Sequence, residues 1–123
     1  MAENLRTTRY NDGTPITLIT DNISWGDITA GAYSNHFNTE NIDTIATYGR
    51  LYNWYAVNTG KLCPLGWHVP DINEWSALAD AFGGAGEAGG ALKEVGTTHW
   101  ASPNTGATNE SGLYCHSGRL PRY

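Results

Sequence analysis

Pro70-Asp71-Ile72-Asn73-Glu74-Trp75-Ser76-Ala77-Leu78-Ala79-Asp80-Ala81-Phe82-Gly83-Gly84 is the most decisive stretch of the chain. Trp75, Leu78, Ala79 and Phe82 fall at i, i+3, i+4 and i+7, one face of an α-helix. Asp71 is a natural N-cap. Glu74, three residues on, completes an acidic capping box in which each carboxylate takes up a backbone N–H that the helix leaves unpaired. Pro70 fixes the approach of the chain, and Gly83-Gly84 stops the helix. The spacing predicts a helix over about 71–82, with Asp71, Glu74 and Trp75 in structural roles. Asp71 and Glu74 have the look of a general acid/base pair, but capping already explains their spacing.

Working outward, Leu51, Trp54 and Tyr55 fall at i, i+3 and i+4, which predicts another helix over about 48–58, closed at Asn58-Thr59-Gly60. Cys63-Pro64-Leu65-Gly66-Trp67-His68-Val69-Pro70 reads as a turn feeding a short strand packed under the decisive helix. Upstream, Asn11-Asp12-Gly13-Thr14-Pro15 is strong turn chemistry, and Ile16-Thr17-Leu18-Ile19 follows as a short strand. Met1 to Arg9 reads as an extended arm. Asp21 to Asn41, rich in Asn, Asp, Ser, Thr and Gly, reads as a surface loop pinned by Trp25, Tyr33 and Phe37. Downstream, Ala91 to Val95 is a short helical or extended piece. Thr97 to Gly112 has the composition of a long ordered loop around Trp100. The expected class is α+β, with two helices, short antiparallel strands and long ordered loops.

Composition narrows the function. At 123 residues the chain suits one core. Hydrophobic residues reach 40% and charged residues only 15%, a folding composition. Trp 5 and Tyr 7 against Phe 2 and Met 1 mark amphipathic aromatics that carry a polar handle. Net charge is −5 and no basic run occurs, which argues against nucleic acid, whose binding needs clustered Lys and Arg. No apolar run approaches the roughly 20 residues of a membrane helix. Met1-Ala2-Glu3-Asn4-Leu5-Arg6-Thr7-Thr8 lacks the apolar region of a signal peptide.

No catalytic constellation emerges. Cys63 and His68 would be a nucleophile and base, but Pro64, Leu65 and Trp67 are not an electropositive setting, so Cys63 reads as structural. Cys63 and Cys115 are the only cysteines; whether they pair stays open. His36, His68, His99 and His116 lack metal-ligand spacing. Gly83-Gly84-Ala85-Gly86 and Gly89-Gly90 lack the Lys-Ser/Thr of a phosphate loop. The oxygen-rich run Asn104 to Gly112 makes Asn109 and Glu110 candidate Ca²⁺ ligands. It holds a single carboxylate, so a loop closed by its own Asn, Ser and Thr hydrogen bonds is the stronger reading, and no metal or cofactor is assigned. Exposed tryptophans stack on sugar rings, while buried ones build the core; Trp54 and Trp75 suit the core better than Trp25 and Trp100. The candidate ligand-binding residues are Trp25, Trp100, Asn104, Asn109 and Glu110.

Longer runs carry a family resemblance. Tyr48-Gly49-Arg50-Leu51-Tyr52-Asn53-Trp54-Tyr55-Ala56-Val57, Gly60-Lys61-Leu62-Cys63-Pro64 and Gly66-Trp67-His68-Val69-Pro70 closely resemble the Fibrobacter succinogenes major paralogous (FISUMP) domain. So do Met1 to Thr8, Asn11-Asp12-Gly13, Glu74-Trp75, Gly89 to Glu94 and Trp100 to Gly112. The resemblance spans residues 1–112. It implies a bacterial surface or secreted lipoprotein, typical of Bacteroidota, with a C-type-lectin-like fold and a binding or adhesion role toward a glycan or a protein. The family also resembles the formylglycine-generating and sulfatase-modifying enzymes, which share a Pro-x-x-x-Glu-Trp pattern seen here as Pro70, Glu74 and Trp75. Their chemistry rests on a C-terminal cysteine pair with no equivalent in this chain, so the expectation is a binding module and not an enzyme. A purely structural surface module is the remaining alternative.

The resemblance also implies a chain cut at both ends. Family members continue upstream of Met-Ala-Glu-Asn-Leu, and after Gly112 they resume with a Phe-Thr-Ala-x-Pro-Gly-Gly-Tyr-Arg run. One added A in DNA encoding that run yields Leu113-Tyr114-Cys115-His116-Ser117-Gly118-Arg119-Leu120-Pro121. Residues 113–123 are therefore expected to be a frameshifted tail, Cys115 accidental, and the domain an incomplete C-type-lectin-like one. Such a fragment is expected to leave sheet edges and aromatic faces uncovered.

Overall fold

The computed structural model describes residues 3–113; the expectations about Tyr114 to Tyr123, including Cys115, lie outside the described residues. The chain divides into two compact units, Glu3–Val69 and another from Pro70 onward. Together their elements make a small α+β protein with a three-stranded sheet.

The first unit contains β1 (Thr17–Leu18), α1 (Asn22–Asp27), β2 (Ala32–Asn35), a 3-10 turn at His36–Asn38, α2 (Ile42–Tyr48), β3 (Arg50–Tyr52) and α3 (Trp54–Val57). The sheet order is β1-β2-β3. β2 and β3 pair antiparallel, Tyr33 opposite Tyr52 and Asn35 opposite Arg50, but β1 and β2 run parallel, Thr17 opposite Ala32. The sheet is mixed, which corrects the antiparallel expectation. A parallel pair needs a crossover, and the segment holding α1 supplies it.

The helix expected over about 48–58 is broken into three pieces. α2 ends where Gly49 takes φ 72° and ψ −155° and donates its N–H to Ile45 O at 2.9 Å. Arg50–Tyr52 then pairs with β2. Asn53 starts α3, its Oδ1 accepting from Ala56 N at 2.9 Å and from Ala32 N at 3.0 Å. The helical spacing of Leu51, Trp54 and Tyr55 was coincidental: all lie on the surface, at 54%, 68% and 44% exposure.

The loop expected over Asp21 to Asn41 is likewise corrected, because much of its polar composition is capping chemistry. Asp21 accepts from Ser24 N at 2.8 Å to start α1, and Asn41 accepts from Thr44 N at 2.8 Å to start α2. Between them lies the central strand, whose Ala32 and Tyr33 are buried. His36, also buried, stacks on Tyr48 with ring centres 4.6 Å apart.

The core of this unit is Ile16, Tyr33 and Leu62, with Leu5, Tyr10, Tyr52 and Val57 packed against it. Ala32 and Ala56 are fully enclosed. The N-terminal arm covers the outer edge of β3: Arg50 N donates to Leu5 O at 2.9 Å. The Arg50 guanidinium bonds Asn35 Oδ1 at 3.0 Å and Arg6 O and lies over the Tyr33 ring. Trp54, Trp67 and Val69, expected inside, are exposed.

Tyr52 ties the arm to the sheet from below, its hydroxyl donating to Thr7 O at 2.8 Å. Burial pushes its phenol well above the usual tyrosine range, with Tyr33 adding to the shift and Arg50 opposing it. A group that holds its proton more tightly when folded contributes stability below its unfolded pKa of about 10, and that contribution fades as pH rises toward the folded value. Tyr52→Phe is therefore expected to cost about 1 kcal/mol at neutral pH and to make the alkaline loss of stability shallower. Urea titrations at pH 7 and pH 11 measure both; an alkaline slope identical in the two proteins would refute the assignment.

The second unit holds α4 (Ile72–Ala81) and α5 (Ala88–Leu92). Asp71 Oδ1 accepts from Asn73 N at 2.8 Å and Glu74 N at 2.9 Å, and Glu74 Oε2 accepts from Asp71 N at 2.9 Å. This capping box starts α4 as its sequence spacing predicts. Gly83 and Gly84 follow its C-cap, Phe82, with φ of 89° and 91°. Leu78, Ala79 and Phe82 are part-buried, whereas Trp75 is 48% exposed and lies outside the core expected for it. In α5, Ala88 and Ala91 are buried. A side chain at Gly90 would collide with the carbonyl of Gly106, so a glycine at this position lets the loop approach α5.

Candidate functional site

The loop after α5 has no regular secondary structure from Ser102 to Leu113, yet its path is pinned. Thr108 N donates to Gly90 O at 3.0 Å and Ser111 N to Ala91 O at 3.2 Å, so the loop borrows carbonyls at the end of α5. Lys93 Nζ donates to Thr105 O at 2.8 Å. Asn104 Nδ2 donates to Glu94 O at 2.9 Å and Gly96 O at 2.6 Å. Tight turns close it internally: Asn104 N to Ala101 O at 3.0 Å, and Gly112 N to Asn109 O at 3.0 Å. Both Asn104 (φ 46°) and Asn109 (φ 52°) take the left-handed conformation, which asparagine enters more readily than most residues.

Trp100 is half-buried on this loop, with the Lys93 ammonium 5.4 Å from its ring centre. That cation–π contact and the bond to Thr105 make Lys93 a clamp across the loop. His99 Nδ1 meets Glu94 Oε2 at 2.7 Å, both side chains largely covered. Lys93, Glu94 and His99 were not among the sequence candidates. Lys93 and Glu94 close the family-like run Gly89 to Glu94, and His99 is weighed only as a metal ligand; neither reading points to a contact with the loop.

Trp100, Asn104, Asn109 and Glu110 thus share one loop of the second unit, while Trp25 lies half-buried on α1 of the first. Glu110 is exposed. The Oδ1 atoms of Asn104 and Asn109 are buried and meet no hydrogen-bond donor among the described residues. No group of three or more His, Cys, Asp or Glu side chains is gathered there for a metal among the described residues. Cys63, part-buried in the first unit, is a thiol whose pKa burial pushes up, leaving less of the reactive thiolate at neutral pH. No described helix is long and apolar enough to cross a membrane.

The fold and site define a small α+β protein with a mixed sheet and a pinned, asparagine-rich loop carrying an aromatic. The family model described as the Fibrobacter succinogenes major domain matches residues 1–120, and the chain belongs to that family. No curated protein and no solved structure matches it.

Proposed function

We propose that this chain is a non-enzymatic recognition module of a bacterial cell-surface or secreted lipoprotein, a C-type-lectin-like domain that binds a glycan or protein through its second unit. The observation that supports it most is Trp100, part-exposed on a loop whose backbone is already fixed by bonds to α5 and to Glu94 and Gly96. A preordered loop loses little conformational freedom on binding, and an indole beside Asn and Thr side chains offers a stacking face with polar groups at its rim. That chemistry favours a sugar over a protein as ligand. The raised thiol of Cys63 supports the absence of cysteine catalysis.

Binding of the chain to a glycan array, repeated with Trp100→Ala, tests the reading. The substitution is expected to weaken the strongest glycan signal by about thirtyfold, the scale of a buried aromatic anchor. Undiminished binding by the variant would remove the loop as the site. A silent array would leave a protein ligand as the remaining form of the proposal. Turnover of a cysteine-containing peptide by the chain would overturn the non-enzymatic assignment.

A further inference from the structure

Lys93 is the only Lys or Arg between Pro70 and Leu113, among carboxylates at Asp71, Glu74, Asp80, Glu87, Glu94 and Glu110. An ammonium in such surroundings usually settles on a carboxylate, and this one does not. It forms no ion pair among the described residues. Its contacts are instead with a neutral carbonyl, Thr105 O at 2.8 Å, and with the Trp100 ring, 5.4 Å from the ring centre. Glu94, the next residue in the chain, is engaged by His99 at 2.7 Å.

An ammonium has three donors, and the bond to Thr105 O uses one. Thr105 is exposed, and Lys93 and Trp100 are part-exposed, so the group is open to a ligand arriving from solvent. A separation of 5.4 Å is near the outer limit of about 6 Å for a cation–π contact, so the ring holds the ammonium loosely. An oxyanion bonds an ammonium more strongly than a carbonyl does, because the hydrogen bond then joins two full charges. The bonds of the loop to Gly90, Ala91, Glu94 and Gly96 hold this arrangement without help from a ligand.

We infer that the ligand of this loop is an acidic saccharide, its sugar ring against Trp100 and its carboxylate bound by the Lys93 ammonium. The inference rests on the recognition reading and names the class of sugar within it. A pyranose stacked on an indole carries its carboxylate at the rim of the sugar ring, where an ammonium beside that indole reaches it. The carboxylates of the unit repel a polyanion, so the charge pattern suits a glycan ending in one uronate rather than a chain of them. The same repulsion makes Lys93 decisive, because no other Lys or Arg between Pro70 and Leu113 offsets the charge of the ligand.

Calorimetric titration of the whole chain with disaccharides ending in glucuronate or galacturonate, and with their methyl esters, is the test. The ester keeps the sugar ring and removes the charge. The acids are expected to bind about tenfold more tightly than the esters, the lower end of the range for a hydrogen bond to a charged group. Added salt is expected to narrow that difference by screening the charges. Lys93→Gln is expected to lose the tenfold on the acids and little on the esters, while Lys93→Arg, which keeps the charge, retains most of it. Equal binding of acid and ester overturns the inference, as does silence toward both acids. So does a Lys93→Gln loss of the same size on acid and ester, which would mean that the loop had merely loosened. If Lys93→Gln fails to fold by circular dichroism, the acid–ester comparison in the unaltered chain decides alone. Trp100-dependent binding of neutral sugars with no preference for the acids sinks this inference and leaves the recognition reading standing. Silence toward acids, esters and neutral sugars alike sinks the glycan form of both.

Discussion

Gly49→Ala is expected to destabilise the first unit by about 3 kcal/mol, a value typical of combined backbone strain and overpacking. Gly49 holds φ 72° and ψ −155°, a region that only glycine occupies without strain. An added methyl would also meet Asn4 Cβ and Leu5 O, each at 2.7 Å. Neither is the far end of a flexible side chain that swings away. Leu5 O is the acceptor of Arg50 N, so relief of the collision loosens the arm from the edge of β3. Gly60→Ala is the control. Gly60 has φ 68° but open space around the added carbon, so strain alone applies, about 1 kcal/mol. Urea midpoints of the two variants measure the difference; equal shifts would mean that the arm does not press on Gly49.

Leu62→Ala is expected to cost about 2–4 kcal/mol, the range for emptying a leucine from a core. Leu62 is 4% exposed and packs with Ile16 and Tyr33. With so few large buried side chains, neighbours have little apolar bulk with which to refill the cavity. Leu65→Ala, three residues on at 83% exposure, is expected to change stability by less than about 0.5 kcal/mol. The pair asks whether burial or mere hydrophobicity sustains the unit. Comparable effects at the two positions would show that Leu62 does not belong to a cooperative core. Leu65, Trp67, Trp54 and Ile72 are exposed apolar side chains, which makes association at high concentration the condition to avoid in such measurements.

Local chemistry was legible wherever one side chain satisfies one neighbouring backbone group. The capping box of Asp71 and Glu74 and the stop at Gly83-Gly84 could be read directly. So could the turn at Asn11-Asp12-Gly13, where Thr14 N donates to Asp12 Oδ1 at 2.9 Å. The interior of the Tyr48–Val57 run was not legible. Gly49 reads as a tolerable helix residue, and the helical spacing of Leu51, Trp54 and Tyr55 competes with a strand that exists only because Tyr33, Ser34 and Asn35 lie alongside. In the candidate site, the sequence marked Trp100, Asn104, Asn109 and Glu110 by composition. It was silent on the clamp of Lys93 across the loop and on the pairing of Glu94 with His99.

The sequence by itself determined family membership, the α+β class, the α4 helix with its cap, and the polar loop with its aromatic. Each depends on residues close along the chain or on long matched runs. Tertiary structure alone decided the parallel pairing of β1 with β2, the conversion of Arg50–Tyr52 to a strand and the exposure of Trp54, Trp67 and Trp75. It also decided the burial of two amide oxygens in the loop. The physical reason is the same in each case. Hydrogen bonds across a sheet, and the space left inside a core, depend on which distant segments meet, and periodicity along one segment carries no record of that meeting.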